Sequence, residues 1–256
     1  MVQEYLRLLK FRYHLSFVIV VAGVLLYTRP LRGARFLDLL LLYLCFNVLF
    51  YGGLYTINDI LDRGDDAQHP AKRLRPVPSG RVPISSAVAF ALTMILAGTA
   101  TSFALFGEPI LKYYGAFLVA NLFYSALGRN IPYLELLLNG CTYPLRFLLG
   151  LSFTNHRVPI SLVGSIFLFA VGVAATRRIV EGEAIGQQGR TTLGFYSLLG
   201  LTVLQIALLA GVVFLVLEDG DQPVVFHYVL VGLYLIMVFG YPWKPLRSAY
   251  HWLWLR

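Results

Sequence analysis

The sequence predicts an all-α polytopic membrane protein, and three observations support that fold class. Of the 256 residues, 58% are hydrophobic and only 13% are charged, whereas a soluble domain has roughly half apolar and about a quarter charged residues. The mean hydropathy is +0.70. Apolar runs long enough, or nearly long enough, to cross a bilayer recur along the whole chain. We therefore expect one integral-membrane domain over residues 1–256.

The apolar runs predict about eight transmembrane helices. They lie near residues 14–28, 36–56, 84–106, 109–127, 132–151, 160–180, 194–217 and 224–241. A short turn around Gly128 joins the fourth run to the fifth. The C-terminal stretch YPWKPLRSAYHWLWLR is rich in Trp, Tyr and basic residues, which is typical of an interfacial anchor more than of a complete span.

The distribution of basic residues predicts the orientation of these helices. If the N-terminus is cytoplasmic, nearly all Lys and Arg residues outside the spans lie inside, and the exceptions are Arg29, Arg32, Arg35, Lys112 and Arg157. Cytoplasmic loops of membrane proteins carry such an excess. We expect a bacterial or archaeal cell membrane, with both termini inside. The net charge of +8 then reflects basic loops and anionic lipid or substrate phosphates; no nucleic-acid partner is expected.

The connection between the second and third spans carries the most distinctive charge pattern. Residues 58–81 read NDILDRGDDAQHPAKRLRPVPSGR. Asp59, Asp62 and Asp66 are spaced i, i+3 and i+7, so they share one face if the helix continues, whereas Asp65 points elsewhere. Carboxylates on one face suit Mg²⁺ that carries a diphosphate. The alternative is a solvated loop in which Asp and Arg form salt bridges.

Basic residues follow the aspartates at once. Pro70 is expected to end the helix, and Lys72, Arg73 and Arg75 come next, within reach of any ligand that the acids hold. Arginine side chains match phosphate oxygens with two parallel hydrogen bonds. These residues are therefore candidate phosphate ligands.

Two polar positions end the fourth span, and a polar stripe runs along the fifth. Tyr124 and Arg129 are candidate catalytic residues. The alternative is that Tyr124 is an ordinary interfacial residue and that Arg129 only reflects the excess of basic residues on the cytoplasmic side.

The stripe on the fifth span comprises Glu135, Asn139, Tyr143 and Arg146. Ionisable residues inside a span indicate function; an internal Glu–Arg pair that joins helices is the alternative.

The last polar group ends the sixth span, where Arg177 and Arg178 precede Glu181 and Glu183. The spacings i+4 and i+3 from these arginines to Glu181 predict salt bridges along one helix. Adjacent arginines on the cytoplasmic side are also candidate phosphate ligands. Both interpretations stay open on the sequence.

The sequence NDILD followed by Asp66 and by KRLRPVPSGR resembles the first aspartate-rich motif of the UbiA-type intramembrane prenyltransferase superfamily. The resemblance implies a bundle, usually of nine spans, around a central cavity with a cytoplasmic cap. It also implies that Asp59, Asp62 and Asp66 hold Mg²⁺ and that Asn58 supports the site. The residues implied to touch phosphate are Lys72, Arg73 and Arg129.

The chain departs from the common pattern of that superfamily at two places. The second aspartate motif is replaced by TRRIVEGE, and the ninth span is missing or reduced to the C-terminal stretch. The segments LELLLNGCTYPLRFLLG and ATRRIVEGE are similar to those of the polyprenyl-phosphate phosphoribosyltransferase branch. The additional phosphates of those substrates would suit Arg146, Arg177 and Arg178.

The leading hypothesis is an Mg²⁺-dependent transferase that moves 5-phosphoribose from phosphoribosyl diphosphate to a polyprenyl phosphate. The alternatives are transfer of a polyprenyl group from its diphosphate to an aromatic or other small acceptor, and a transporter or lipid-binding protein without chemistry. The expected catalytic residues are Asp59, Asp62, Arg129 and Tyr124. The expected substrate-binding residues are Asn58, Lys72, Arg73, Arg75, Glu135, Arg146, Arg177, Arg178 and Glu181. Nothing in the sequence indicates an oligomer.

Overall fold

All the regular secondary structure that the computed structural model describes is helical, which confirms the all-α class. The description covers residues 2–27, 33–68, 72–128, 131–154, 156–185, 196–218 and 224–255. Within these ranges, five helical segments are long and apolar enough to cross a membrane, and a bent pair near the C-terminus makes a sixth if it is one span. The chain is therefore a polytopic helical membrane protein.

Twelve α-helices are described in these ranges. In chain order they are α1 Val2–Leu8, α2 Val18–Leu25, α3 Gly33–Leu42, α4 Tyr51–Leu61, α5 Arg63–Gln68, α6 Ile84–Phe106, α7 Leu111–Ala126, α8 Leu134–Leu151, α9 Ile160–Ile185, α10 Leu198–Glu218, α11 Val224–Tyr234 and α12 Lys244–Leu255. A 3₁₀ segment over Phe11–Phe17 links α1 to α2. A π-helical segment over Tyr43–Phe50 links α3 to α4.

The predicted spans coincide with these helices at most positions. Helix α6 has the predicted bounds, whereas the first span begins at Val2 instead of residue 14, because basic residues interrupt its apolar pattern. Helix α7 has 16 residues, or about 24 Å, which is shorter than the roughly 30 Å hydrocarbon core. The count of eight to nine spans, the central cavity and the cytoplasmic cap stay predictions.

The described residues form two compact units. The first comprises Met1–Asn121 with Leu149–Thr154, and the second comprises Leu122–Leu148 with Asn155–Arg256. The expectation of one domain stays a prediction.

The first unit is built on an aromatic cluster beside the π-helical segment. The ring centroids of Phe46 and Phe117 are 4.8 Å apart, and those of Phe50 and Tyr114 are 4.4 Å apart. The hydroxyls of Tyr114 and Ser102 lie 2.5 Å apart and are buried. Hydrogen bonding of this kind satisfies polar groups that no water can reach. These contacts join the second span to α6 and α7.

Glycine allows α6 to approach the second span closely. A Cβ atom at Gly98 would lie 2.6 Å from both the Cys45 carbonyl oxygen and the Phe50 amide nitrogen. Small residues commonly occupy such helix contacts in membranes, because helices in lipid associate through close van der Waals packing and not through the hydrophobic effect.

The second unit is held together by polar pairs in an apolar interior. The side-chain amide of Gln205 on α10 donates to the Thr176 hydroxyl on α9 across 3.0 Å. The Tyr234 hydroxyl donates to the Gln205 carbonyl oxygen across 2.8 Å. Helices α9, α10 and α11 are thereby joined by buried hydrogen bonds.

The C-terminal segment is helical and turns sharply away from the helix before it. A π-helical turn over Leu235–Phe239 follows α11, and the next helix is inclined to this segment by 84°. One face of α12 packs inward, where the Tyr250 and Trp254 rings stack at 4.4 Å. Trp243 and Trp252 stay exposed. The interfacial anchor stays a prediction.

We expect Gly98→Ala to lower the thermal unfolding midpoint of the detergent-solubilised protein, because the new methyl group would overlap main-chain atoms. Overpacking of this kind costs about 1–3 kcal/mol. The control is Gly115→Ala on α7, since a Cβ atom there meets nothing within 4 Å. Equal midpoints for the two variants would contradict the close contact.

Candidate functional site

The aspartate segment stays helical past the end of α4. Asp62 lies at the junction of α4 and α5 with φ −83° and ψ −4°. Its backbone N–H donates to the Asn58 carbonyl oxygen across 2.8 Å, and the N–H of Asp66 donates to the Asp62 carbonyl oxygen across 2.8 Å. The i to i+4 pattern therefore runs through the junction, and the acidic residues keep helical spacing, as the sequence pattern requires.

Arg75 joins two of the three predicted metal ligands. Its Nη1 atom lies 3.2 Å from Oδ1 of Asp59 and 2.6 Å from Oδ2 of Asp66. Each of these aspartates is only 1% exposed, whereas Asp65 is exposed. The spacing i to i+7 thus brings Asp59 and Asp66 to one cation.

Lys10 contributes a second cation that sequence reasoning missed as a site residue. Its Nζ atom lies 2.5 Å from Oδ1 of Asp59 and 5.6 Å from the centroid of the Tyr55 ring. Lys10 lies between α1 and the 3₁₀ segment, with φ 50°. On the sequence it is one of several basic residues before the first span, and 49 residues separate it from Asp59.

Asp59, Asp66, Lys10 and Arg75 belong to one largely buried charge cluster. Burial tends to lower the pKa of Arg75, but the charges of Asp59 and Asp66 outweigh it and raise that pKa above its ordinary value. The guanidinium therefore stays charged. Removal of one partner from such a pair is costly because it leaves a buried charge uncompensated.

The other residues predicted around the aspartates differ in burial. Lys72 is only 5% exposed, Asn58 and Asp62 are half-buried, and Arg73 is exposed. In the second unit, Tyr124 is half-buried near the end of α7. Arg129 and Pro70 lie outside the described residues.

A second charge cluster lies within the second unit and centres on Arg178. This side chain donates to Glu135 on α8 and to Glu181 on its own helix. Arg177 donates to the other oxygen of Glu181 across 3.1 Å. Glu135 and Glu181 are 2% and 1% exposed, and Arg178 is 8% exposed. The predicted salt bridges along α9 are present, and an ion pair also joins α8 to α9.

Arg146 does not supply the cation of that interhelical pair. It is buried, and its Nη1 atom donates to the Thr142 carbonyl oxygen of α8 across 3.0 Å. Its guanidinium also lies 5.9 Å from the centroid of the Tyr143 ring. Within the polar stripe, Glu135 therefore pairs with a neighbouring helix, whereas Arg146 forms a hydrogen bond within α8.

Tyr196 is a further member of the second cluster that the sequence did not indicate. Its hydroxyl donates to Oε1 of Glu135 across 2.7 Å and accepts from the Tyr133 amide across 2.9 Å. Burial and the hydrogen bond to Glu135 raise the pKa of Tyr196, so the phenol keeps its proton and remains a donor. Tyr133 itself has φ 64°, a strained conformation that this contact helps to hold.

Glu183 has a different role from Glu181. It accepts a hydrogen bond from Tyr241 and another from Nη2 of Arg247 across 2.9 Å. Its side chain is 40% exposed. Glu183 therefore links α9 to the C-terminal helix at the surface.

No group of three or more His, Cys, Asp or Glu side chains with metal-binding geometry occurs among the described residues. The first unit instead brings oxygens of Asp59 and Asp66 within 3.2 Å and 2.6 Å of one nitrogen atom of Arg75. Carboxylate oxygens are the protein ligands that Mg²⁺ prefers. The chemistry of this pair therefore fits a divalent cation.

Comparison with known proteins identifies a family and a fold. The model described as the UbiA prenyltransferase family matches residues 15–255. The solved structure of a UbiA homolog from Archaeoglobus fulgidus bound to GPP and Mg²⁺ has a TM-score of 0.73 at 20% identity, covering 98% of this chain and 95% of that one. At this identity the match shows the fold alone.

Several relatives match part of the chain, and two of them illustrate the extent of the match. The nodulation protein NoeC of Azorhizobium caulinodans is 28% identical over 141 residues, which is 55% of this chain and 46% of that protein. The decaprenyl-phosphate phosphoribosyltransferase of Corynebacterium glutamicum is 26% identical over 165 residues, 60% of this chain and 48% of that protein. The matched segments thus span about half the length of these relatives.

We expect Glu135→Gln to destabilise the protein strongly, because Arg178 would lose one of its two carboxylates in a buried setting. Breaking a buried ion pair costs about 3–5 kcal/mol. Glu183→Gln is the matched control, since its exposed pair with Arg247 is worth less than about 1 kcal/mol. The measurement is the denaturation midpoint in mild detergent. A similar decrease of the midpoint in both variants would contradict the larger contribution assigned to the buried Glu135–Arg178 pair.

Proposed function

Because the chain belongs to the UbiA prenyltransferase family, we propose that it is an Mg²⁺-dependent intramembrane transferase that acts on a diphosphate donor and a lipid substrate. The observation that carries this proposal is the convergence of buried Asp59 and Asp66 on Arg75, with Lys10 as a second cation beside Asp59. Membership of a transferase family favours an enzyme over the transporter or lipid-binding protein that the sequence left open.

The proposed metal ligands are Asp59 and Asp66, together with Asp62 from the same helical segment. Bound Mg²⁺ would stabilise the negative charge of the departing diphosphate. The aspartates would orient that charge at a buried position, where electrostatic stabilisation is stronger than in water. Asn58 lies one turn before Asp62 and would support the same ligand set.

Cationic side chains after the aspartates are proposed to bind the phosphate oxygens. Lys72 is buried beside this segment, whereas Arg73 is exposed. Arg75 already carries a charge that the acidic residues stabilise. Tyr124 and Arg129 are also proposed as catalytic residues, on the sequence pattern alone. The cytoplasmic orientation of these residues belongs to the same proposal.

We propose phosphoribosyl diphosphate as the donor and a polyprenyl phosphate as the acceptor. The relative from Corynebacterium glutamicum supports this choice, and so does the segment ATRRIVEGE, in which Glu181 is bound by Arg177 and Arg178. Arginines in place of a second acidic motif suit substrates with additional phosphates. We therefore propose Arg146, Arg177 and Arg178 as phosphate ligands. Glu135 and Glu181 are proposed to hold Arg177 and Arg178 in place.

The proposed reaction requires no general base. The bond between the anomeric carbon of the ribose and the diphosphate oxygen breaks, and an oxygen of the polyprenyl phosphate forms the new bond to that carbon. The acceptor phosphate is already anionic at neutral pH, so no proton must be removed from it. Diphosphate leaves with the electrons of the broken bond, and cationic groups stabilise it.

The second candidate is transfer of a prenyl group from its diphosphate to an aromatic or other small acceptor. It is favoured by the Archaeoglobus fulgidus homolog, which was solved with GPP and Mg²⁺. Both reactions would use the same aspartates, but they differ in which substrate carries the long chain.

A donor comparison tests these two reactions. We expect purified protein with Mg²⁺ to convert labelled phosphoribosyl diphosphate and decaprenyl phosphate into a lipid-linked phosphoribose. A labelled polyprenyl diphosphate with 4-hydroxybenzoate should give no product. Thin-layer chromatography of the lipid extract separates the products. Product from the prenyl donor alone would reject the phosphoribosyl reaction in favour of the second candidate.

We expect Asp59→Asn and Asp62→Asn each to reduce Mg²⁺-dependent turnover by about a hundredfold or more, because each change removes a negative charge that the transition state needs. Asp65→Asn is the matched control, since Asp65 is exposed on the same segment and should keep turnover near that of the wild type. Near-normal turnover in Asp59→Asn, with product confirmed, would show that the metal site is misassigned.

A further inference from the structure

We propose that Lys10 and Arg75 are internal counter-ions that compete with a divalent cation for Asp59 and Asp66. In this proposal the two side chains neutralise the aspartates before the metal binds, and the metal must displace them. The inference rests on the proposed metal site and assigns a role to Lys10, which the proposed reaction does not use. It predicts that loss of Lys10 strengthens metal binding.

The contact geometry places both cations at the atoms that a metal would need. Oδ1 of Asp59 lies 2.5 Å from Nζ of Lys10 and 3.2 Å from Nη1 of Arg75. Oδ2 of Asp66 lies 2.6 Å from the same Nη1 atom. Mg²⁺ binds oxygen at about 2.0–2.1 Å, so a metal on these oxygens would occupy the space that the cationic groups now fill.

Burial makes the competition strong. The side chains of Asp59 and Asp66 are 2% and 1% exposed, and those of Lys10 and Arg75 are 11% and 14% exposed. Water screens charges poorly in such a site. A divalent cation among two fixed positive groups would be repelled by both of them. Its binding therefore requires that the ammonium and the guanidinium move away.

Both cations are carried on side chains that can move without the helices. Lys10 lies between α1 and the 3₁₀ segment and has four rotatable methylene groups. Arg75 precedes the turn that includes Ser79, whose hydroxyl donates to the Arg75 carbonyl oxygen across 2.6 Å. The main chain at Arg75 is thus fixed while its guanidinium can change partner. In this proposal the exchange takes place through rotamer changes of the two side chains.

Displacement would also couple the metal to the donor. A guanidinium and an ammonium that leave the aspartates are available for phosphate oxygens of an anionic donor. The metal and the donor would then strengthen each other's binding by the same factor, as thermodynamic linkage requires. Inorganic diphosphate should therefore tighten metal binding in the wild type, and by a smaller factor when Lys10 is replaced.

The test is a titration of detergent-purified protein with Mn²⁺, followed by electron paramagnetic resonance, without any donor present. We expect Lys10→Gln to lower the Kd for Mn²⁺ by about three- to tenfold, because one competing charge is removed. Lys10→Arg keeps the charge and should retain the wild-type Kd. Lys112→Gln is the matched control, since it removes a lysine charge at an exposed position beside the Tyr113 ring.

Thermal unfolding gives a second measurement that does not depend on activity. Without metal, Lys10→Gln should have a lower Tm than the wild type, because Asp59 loses a counter-ion in a buried site. Saturating Mn²⁺ should raise the Tm of Lys10→Gln by more than it raises that of the wild type at the same concentration, since tighter ligand binding stabilises the folded state further.

The outcomes separate this inference from the proposed function. If Mn²⁺ binding is lost in Asp59→Asn and Asp66→Asn but the Kd of Lys10→Gln is unchanged or higher, the counter-ion role is overturned and the metal site stands. If wild-type Mn²⁺ binding survives Asp59→Asn and Asp66→Asn, the metal site of the proposed function is overturned, and this inference falls with it.

Discussion

The contact of Arg75 with both Asp59 and Asp66 is the interaction on which the candidate site depends. Two buried carboxylates 7 positions apart on a helical segment would repel each other without a cation between them. The guanidinium of Arg75 neutralises this repulsion, although Arg75 follows Asp66 by only nine positions. Because the helical hydrogen bonds continue through Asp62, the segment presents its acids in a fixed arrangement. The arrangement that neutralises the two buried carboxylates also presents their oxygens as candidate ligands for a metal.

In the second unit, the buried charges are neutralised by a different arrangement. Arg178 is shared by Glu135 and Glu181, and Tyr196 adds a hydrogen bond to Glu135. Here the carboxylates come from two helices, so the ion pair joins α8 to α9 as well as neutralising charge. The first cluster pairs acids on one helical segment with cations from two residues outside the α-helices, Lys10 and Arg75. The second pairs groups that are all fixed on helices or tied to them by hydrogen bonds.

Helix positions and the acidic face could be predicted because they depend on local periodicity. The bounds of α6 and the convergence of Asp59 with Asp66 follow from apolar length and from the i to i+7 spacing. The partners across the sequence could not be predicted. Lys10 meets Asp59, and Tyr196 meets Glu135, through contacts that depend on how whole helices pack, and no spacing rule encodes them. For the same reason the sequence paired Glu135 with a cation but could not show that the cation is Arg178 and not Arg146.

The C-terminal helix has a practical consequence for spectroscopy. The chain has three tryptophans, and all of them, Trp243, Trp252 and Trp254, lie in or directly before α12. Two are exposed, and the third stacks on Tyr250. The intrinsic indole emission of the protein is therefore a local signal from the C-terminal helix and the residue before it. Lipids that carry a bromine quencher at known depth would locate this helix within the bilayer, without any introduced label.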